Sequence, residues 1–399
     1  MFKRRKTKQS PEQKTLTAEE KRRMRRKRAQ RRVLIRALVL LTLCVGVILV
    51  MFNWDSLAPD RLLSAAENLL GIGTGSYPVD LSGTGVYRLE RAQSYSAVLT
   101  ESHLIYLNRT GAEVNRHSVA YPTALMRTAG QYVLVGEQGG RRIHLSTRSK
   151  VLLEMEADRD IINVAVNKQG TIAVLMDGPQ GYAVQLNVYN KSGRLLYSRN
   201  RNHTVTQLAL SADGTQVALL SVEAKSGNLN TTLDVFSLKS SSPDAICSYK
   251  VEDNLLYQLA YTGNNWVVAF SESSAVMLDT SDGMATVYAP DDMRVLGYAV
   301  TEKGLALALR HYGVTGDGQV HLVNTSGDLL AQVDFTGDFR HLSGEGDAFA
   351  LLTDSAVYKI TRDGVTGSAA TAADGRQVLL LEDKAVVLGL NRLTAHTFE

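Results

Sequence analysis

Residues 301–327 read TEKGLALALRHYGVTGDGQVHLVNTSG, and the two ends of this stretch are the same kind of turn. Thr301-Glu302-Lys303-Gly304 and Asn324-Thr325-Ser326-Gly327 each open with a side chain that can bond its own backbone. Each closes on a glycine, which supplies positive φ at no steric cost. The closing glycines are 23 residues apart, and the same spacing returns at Gly170 and Gly193. Turns of the second sort stand at 108–111, 190–193, 280–283, 324–327 and 361–364, and of the first at 167–170, 211–214 and 301–304. From Gly111 onward the first-named five glycines are separated by 82, 90, 44 and 37 residues, one or two units of roughly 40. A period near 40 with two turns per unit is the signature of four-stranded propeller blades.

Short β-branched and aromatic runs lie between the turns, such as Tyr132–Val135 and Trp266–Phe270, and no convincing helical period interrupts them. The sequence therefore predicts an all-β domain over 77–399, a β-propeller with units near 86–120, 122–158, 160–201, 204–252, 254–292, 294–338 and 339–374. The remainder, 375–399, holds three strands. Tyr77–Leu81 is a spare strand at the other end, and pairing it with those three would close the ring and remove an exposed edge. Eight blades are expected, with seven the alternative if one unit is misdrawn.

Outward from this domain the chain changes character. Residues 1–36 hold 16 Lys+Arg against Glu12, Glu19 and Glu20, a balance of +13; the whole chain is +4, so 37–399 carry −9. The basic tail (1–32) abuts Val33–Phe52, twenty residues apolar except for Arg36 and Thr42, long enough to cross a bilayer as one transmembrane helix. Basic residues on one flank place the N-terminus in the cytoplasm and the C-terminal domain outside it. A plasma-membrane, single-pass, extracytoplasmic arrangement is expected, with the tail attracted to anionic lipid. No aromatic residue interleaves the basic cluster, against a nucleic-acid interface. Between 53 and 76 a short amphipathic helix starting at Pro59 and a Gly-rich linker are expected. The two cysteines, Cys44 in the span and Cys247 in the domain, offer no disulfide within the domain.

The stem, the segment Tyr77-Pro78-Val79-Asp80-Leu81-Ser82-Gly83 and the strand series after it resemble a bacterial domain-of-unknown-function family, membrane-anchored and propeller-like, found mainly in Gram-positive anaerobes. The resemblance implies an extracytoplasmic propeller and carries over no activity.

Propellers gather tight turns on one face and longer loops with inter-blade crossings on the other, where ligands usually bind. Here the crossings are charged. Asp160, Arg201, His203, Asp253, Asp292, Arg294, Asp338 and Arg340 are the candidate ligand-binding residues, forming a ring at the channel mouth. Their bland reading is solvated charge and blade-bracing ion pairs. The eight histidines show no pair at ligand spacing, so no metal and no cofactor are implied. No Gly-x-Ser-x-Gly elbow occurs. The expected function is a binding or assembly module for an envelope protein or glycan. The alternative is a hydrolase or lyase acting on cell-wall or extracellular polysaccharide through mouth carboxylates such as Asp160, Asp253, Asp292 and Asp338; catalytic residues are not identified.

Overall fold

Four of the apolar runs, Tyr95–Thr100, Tyr132–Glu137, Ile172–Asp177 and Trp266–Phe270, form the second strands of four different sheets and are buried along nearly their whole length. A strand sandwiched on both faces has no polar side to show, which is why these segments read as continuous hydrophobic stretches and not as alternation. The computed structural model describes residues 75–398 other than Thr84, Ser226, Ser241 and Pro243. The expected tail, span and nearly all of the juxtamembrane stretch lie outside the described residues. Among those described, no helix is long and apolar enough to cross a membrane.

The described residues hold 32 strands in eight four-stranded antiparallel sheets. In seven of them the strand order is the chain order, beginning with Val86–Ala92 to Glu113–Ser118 in blade 1. The eighth takes Gln377–Leu381, Lys384–Leu388 and Arg392–Thr397 and completes itself with Val79–Asp80 from the opposite end of the domain. Val79 pairs with Leu393 and Asp80 with Arg392, and the Leu81 N–H donates to the Asn391 carbonyl at 2.7 Å. The closure expected from the spare strand is present, and the blade number is eight.

The first strand of each sheet packs against the first strand of the next, and the eighth returns to the first, so these strands surround a central channel. Eight hydrophobic clusters are found, each between two adjacent blades. The domain thus has a ring of eight small cores, and each blade is held by two neighbours.

Every turn of the repeated kind falls on one face. At Gly193 φ is +82° and at Gly327 it is +86°, while the Ser192 N–H reaches Asn190 Oδ1 at 3.1 Å and the Asp328 N–H reaches Asn324 Oδ1 at 2.8 Å. These are the self-bonding side chain and the positive φ that the sequence called for.

Four histidines, His144, His321, His341 and His396, are pushed below their ordinary value of 6.5 chiefly by burial. A depressed histidine refuses a proton that the unfolded chain accepts. Its contribution is fully present above about pH 6.5 and is lost as pH falls through that value toward the folded one, by up to roughly 1.4 kcal/mol per pH unit for each histidine. Denaturant melts of the domain should therefore show stability falling from pH 7.5 to about 5, with His144→Gln flattening part of the slope. A profile that rises on acidification over this range would contradict the assignment.

Candidate functional site

The face opposite the turns is built from the inter-blade crossings and the loops joining second to third strands. It carries Tyr87, Tyr182, Leu229, Leu255, Tyr257, Tyr312, Val314 and Leu390, half of the exposed large apolar side chains; the rest, such as Leu195 and Leu196, lie on or beside the outer strands. None sits on a turn between first and second strands.

Seven of the eight candidate residues from the sequence stand separately on this face. The Asp160 carboxylate is held by Arg141 at 3.2 Å, and Asp338 lies 3.7 Å from Arg310. His203 is exposed in the crossing from blade 3 to blade 4. Asp253 and Asp292 both have φ of +54°, with backbone groups tied to Asn230 Oδ1 and Tyr312 N respectively. Arg294 and Arg340 are exposed side chains on the inner strands of blades 6 and 7, the latter at a bulge between Phe339 and His341. Arg201 is different. It ends the outer strand of blade 3 and reaches Asp234 of blade 4 at 2.6 Å, its guanidinium 5.0 Å from the Phe236 ring. It braces two blades instead of lining the mouth. No two of the eight bond to each other among the described residues.

A cleft of about 520 Å³ opens on the loop face between blades 4 and 5, lined by Leu229, Asp253, Asn254, Leu255, Tyr257 and Glu272. Its wall is fixed in place: Thr231 Oγ1 donates to the Asn254 carbonyl at 3.0 Å, and the Tyr257 N–H to the Phe270 carbonyl at 2.9 Å. Of the eight sequence candidates, Asp253 alone lines it.

The channel holds a second group of residues. Because the sheets are radial, inner-strand side chains point sideways, and the strand's free edge faces the channel. Polar side chains of neighbouring inner strands bond that edge. Gln377 Oε1 accepts from the Leu89 N–H at 2.8 Å, His341 Nδ1 from the Val378 N–H at 3.3 Å, and Ser343 Oγ from the Leu380 N–H at 3.2 Å. On the other side Asn163 Nδ2 donates to the Thr206 carbonyl at 3.2 Å and to Gln207 Oε1 at 2.9 Å. Within this girdle Arg88 and Glu90 lie within electrostatic reach of Arg127, Tyr298 and His341, and Arg127 of Tyr298, the five coming from four blades. Burial and then Arg88 push the Arg127 guanidinium below its ordinary value, and burial holds the Tyr298 hydroxyl at about 12. None of these five is among the sequence candidates; the available signal was a charge inside partly apolar inner strands, VYRLERA and ALMRTA.

Among the described residues no three His, Cys, Asp or Glu side chains come together as a metal site. Cys247 is raised to about 11, first by burial and then by Asp279, Asp234 and Asp282, and so remains a thiol at neutral pH.

The model of a family described as a family of unknown function, DUF5711, matches residues 80–376, most of the propeller. The chain belongs to this family. That match confirms the expected relationship to a domain-of-unknown-function family. Comparison with curated protein sequences finds no match. Among solved structures the fold is similar to BamB from Moraxella catarrhalis, with a TM-score of 0.52 at 10% identity over 80% of this chain and 100% of that one. It is also similar to AztD from Citrobacter koseri, with a TM-score of 0.51 at 12% identity over 79% and 94% of the two chains. At these identities the likeness is one of fold.

Proposed function

We propose that the chain is a single-pass membrane protein that carries its propeller outside the cytoplasm and uses the loop face to dock an envelope protein. The observation that carries this reading is the sorting of exposed apolar side chains. Leu229, Leu255 and Tyr257 line the cleft, and among the described residues no exposed large apolar side chain sits on an inner-strand turn of the opposite face. Surface apolar groups gathered beside a formed cleft mark interaction sites, whereas scattered ones need no explanation. Asp253 and Glu272 at the cleft suit an apolar partner segment flanked by Lys or Arg. The basic tail and the 33–52 stretch support the anchoring and its direction.

The test is affinity capture from the native envelope by the full chain. Leu229→Ser with Leu255→Ser should leave folding intact and weaken capture several-fold. Leu195→Ser with Leu196→Ser should leave capture unchanged. The two pairs are matched in chemistry, exposed by 39% and 40% on the loop face and by 50% and 47% on the rim. Equal loss from both would remove the case for the loop face. Protease added outside intact cells should digest or release the propeller and spare the basic tail; the reverse pattern would overturn the orientation.

A further inference from the structure

The channel contains one positive charge that the protein does not match. Two guanidiniums, Arg88 and Arg127, share it with one carboxylate, Glu90, which is bonded to Arg88 at 2.9 Å. Arg127 has no carboxylate within ion-pairing distance among the described residues. Its bonds go to neutral oxygens, the Met126 carbonyl at 3.0 Å and Asn163 Oδ1 at 3.2 Å. A guanidinium has five donors in a planar fork, so most of its donors remain to be used. Arg127 is half-buried with its unused donors open to the channel, and a partly desolvated guanidinium favours a counter-charge.

Two further donors stand in the girdle, Tyr298 within electrostatic reach of Arg127 and His341 within reach of Arg88 and Glu90. His341 Nδ1 accepts the Val378 N–H, which leaves the ring proton on Nε2. The Tyr298 hydroxyl keeps its proton at neutral pH, and its ring is fixed by stacking on Phe270 at 3.9 Å between centroids. The turn-face end of the channel is crossed by an ion pair between Lys168 of blade 3 and Glu302 of blade 6. Arg91 and Glu345 join across blade 8 just above that end. These pairs narrow the turn-face end of the channel.

We propose that this channel holds a binding site for a carboxylate group, received by the Arg127 guanidinium with the Tyr298 hydroxyl within electrostatic reach. A single net charge calls for a monoanion, and the planar fork of arginine matches a carboxylate with two parallel bonds. Glu90 is the internal competitor for the same cations. The proposal does not rest on the docking reading, although Tyr298 also lies within electrostatic reach of Tyr257 on the cleft wall.

The experiment titrates the full chain in detergent with acetate, following thermal stability and tyrosine ring signals by NMR, with acetamide and chloride at equal ionic strength as controls. Saturable binding of acetate alone is expected. Arg127→Gln should weaken it roughly tenfold or more, the usual loss for a hydrogen-bonded charge. Glu90→Gln should tighten it, since removing the competitor frees Arg88. Lys191→Gln on the turn face should change nothing. A peptide ending in a free carboxylate, compared with its amide, separates two sources: response to acetate only assigns a free small molecule, and response to the peptide acid as well assigns a chain terminus. Equal response to acetamide or chloride, or an unchanged affinity in Arg127→Gln, overturns the proposal. Should that variant fail to fold, weaker binding in Glu90→Gln does so instead.

Discussion

Deleting Tyr77–Leu81 is expected to lower the stability of the propeller by about 4–6 kcal/mol. The strand contributes only two residue pairs, so its hydrogen bonds are a minor part of this. The larger part is apolar. Leu81 is 7% exposed and packs with Tyr77 and Val79 on Leu89, Ile105, Leu379, Leu388 and Leu393, the cluster between blades 8 and 1. Burying side chains of this size is worth about 1.5–3 kcal/mol each. Deletion would also leave the edge of Arg392–Thr397 bare, a template for pairing with another chain. Leu81→Ala isolates the packing share and should cost about 2–3 kcal/mol. Urea melts of the wild type, the deletion and the point variant measure both. If the deletion melts with the wild type, the ring is not sealed by this strand.

The parts of the fold that were legible in sequence are those whose cause is local. Asn190 and Gly193 sit in one turn and need nothing beyond each other, so their pattern recurs in the sequence of five of the blades. Trp266–Phe270 reads as a buried strand because both its faces meet neighbouring blades. Closure followed from counting, since three strands at one end and one at the other complete a four-stranded sheet. The candidate site was harder because its causes are long-range. Arg201 and Arg294 have similar settings in sequence, each near a strand end beside an acidic or polar crossing. What separates them is Asp234, 33 residues beyond Arg201 and on the next blade. The channel group draws on positions 88, 127, 298 and 341, and no local pattern announces that four strands so far apart turn their polar side chains to one space. The exposed Leu229 and Leu255 gave no signal either, because an apolar residue in a β domain is by default assigned to a core.

Arg201→Glu should destabilise the domain by about 3–5 kcal/mol, whereas Arg294→Glu should stay within about 0.5 kcal/mol. Both replace a cation near the loop face with an anion, so net charge cannot explain a difference. Arg201 is largely enclosed, and Asp234 is nearly buried between blades 3 and 4, its other carboxylate oxygen accepting from Ser248 Oγ at 2.7 Å. Removing the guanidinium strands that carboxylate away from water, and a glutamate in its place adds a second charge of the same sign. The face of Phe236 also loses the two guanidiniums' shared cover, since Arg199 lies 4.0 Å from the ring centroid and Arg201 5.0 Å. Arg294 is exposed and has no such partner among the described residues. The decisive comparison is the double replacement Arg201→Met with Asp234→Leu. If the loss in Arg201→Glu comes from a stranded charge, the double variant should recover most of it, because two apolar groups leave nothing unpaired. If it melts as low as the single variant, packing of the arginine stem over Phe236 outweighs the ion pair. Should Arg201→Glu instead match Arg294→Glu in urea, the brace between blades 3 and 4 contributes nothing, and Arg201 returns to the set of loop-face charges available for a partner.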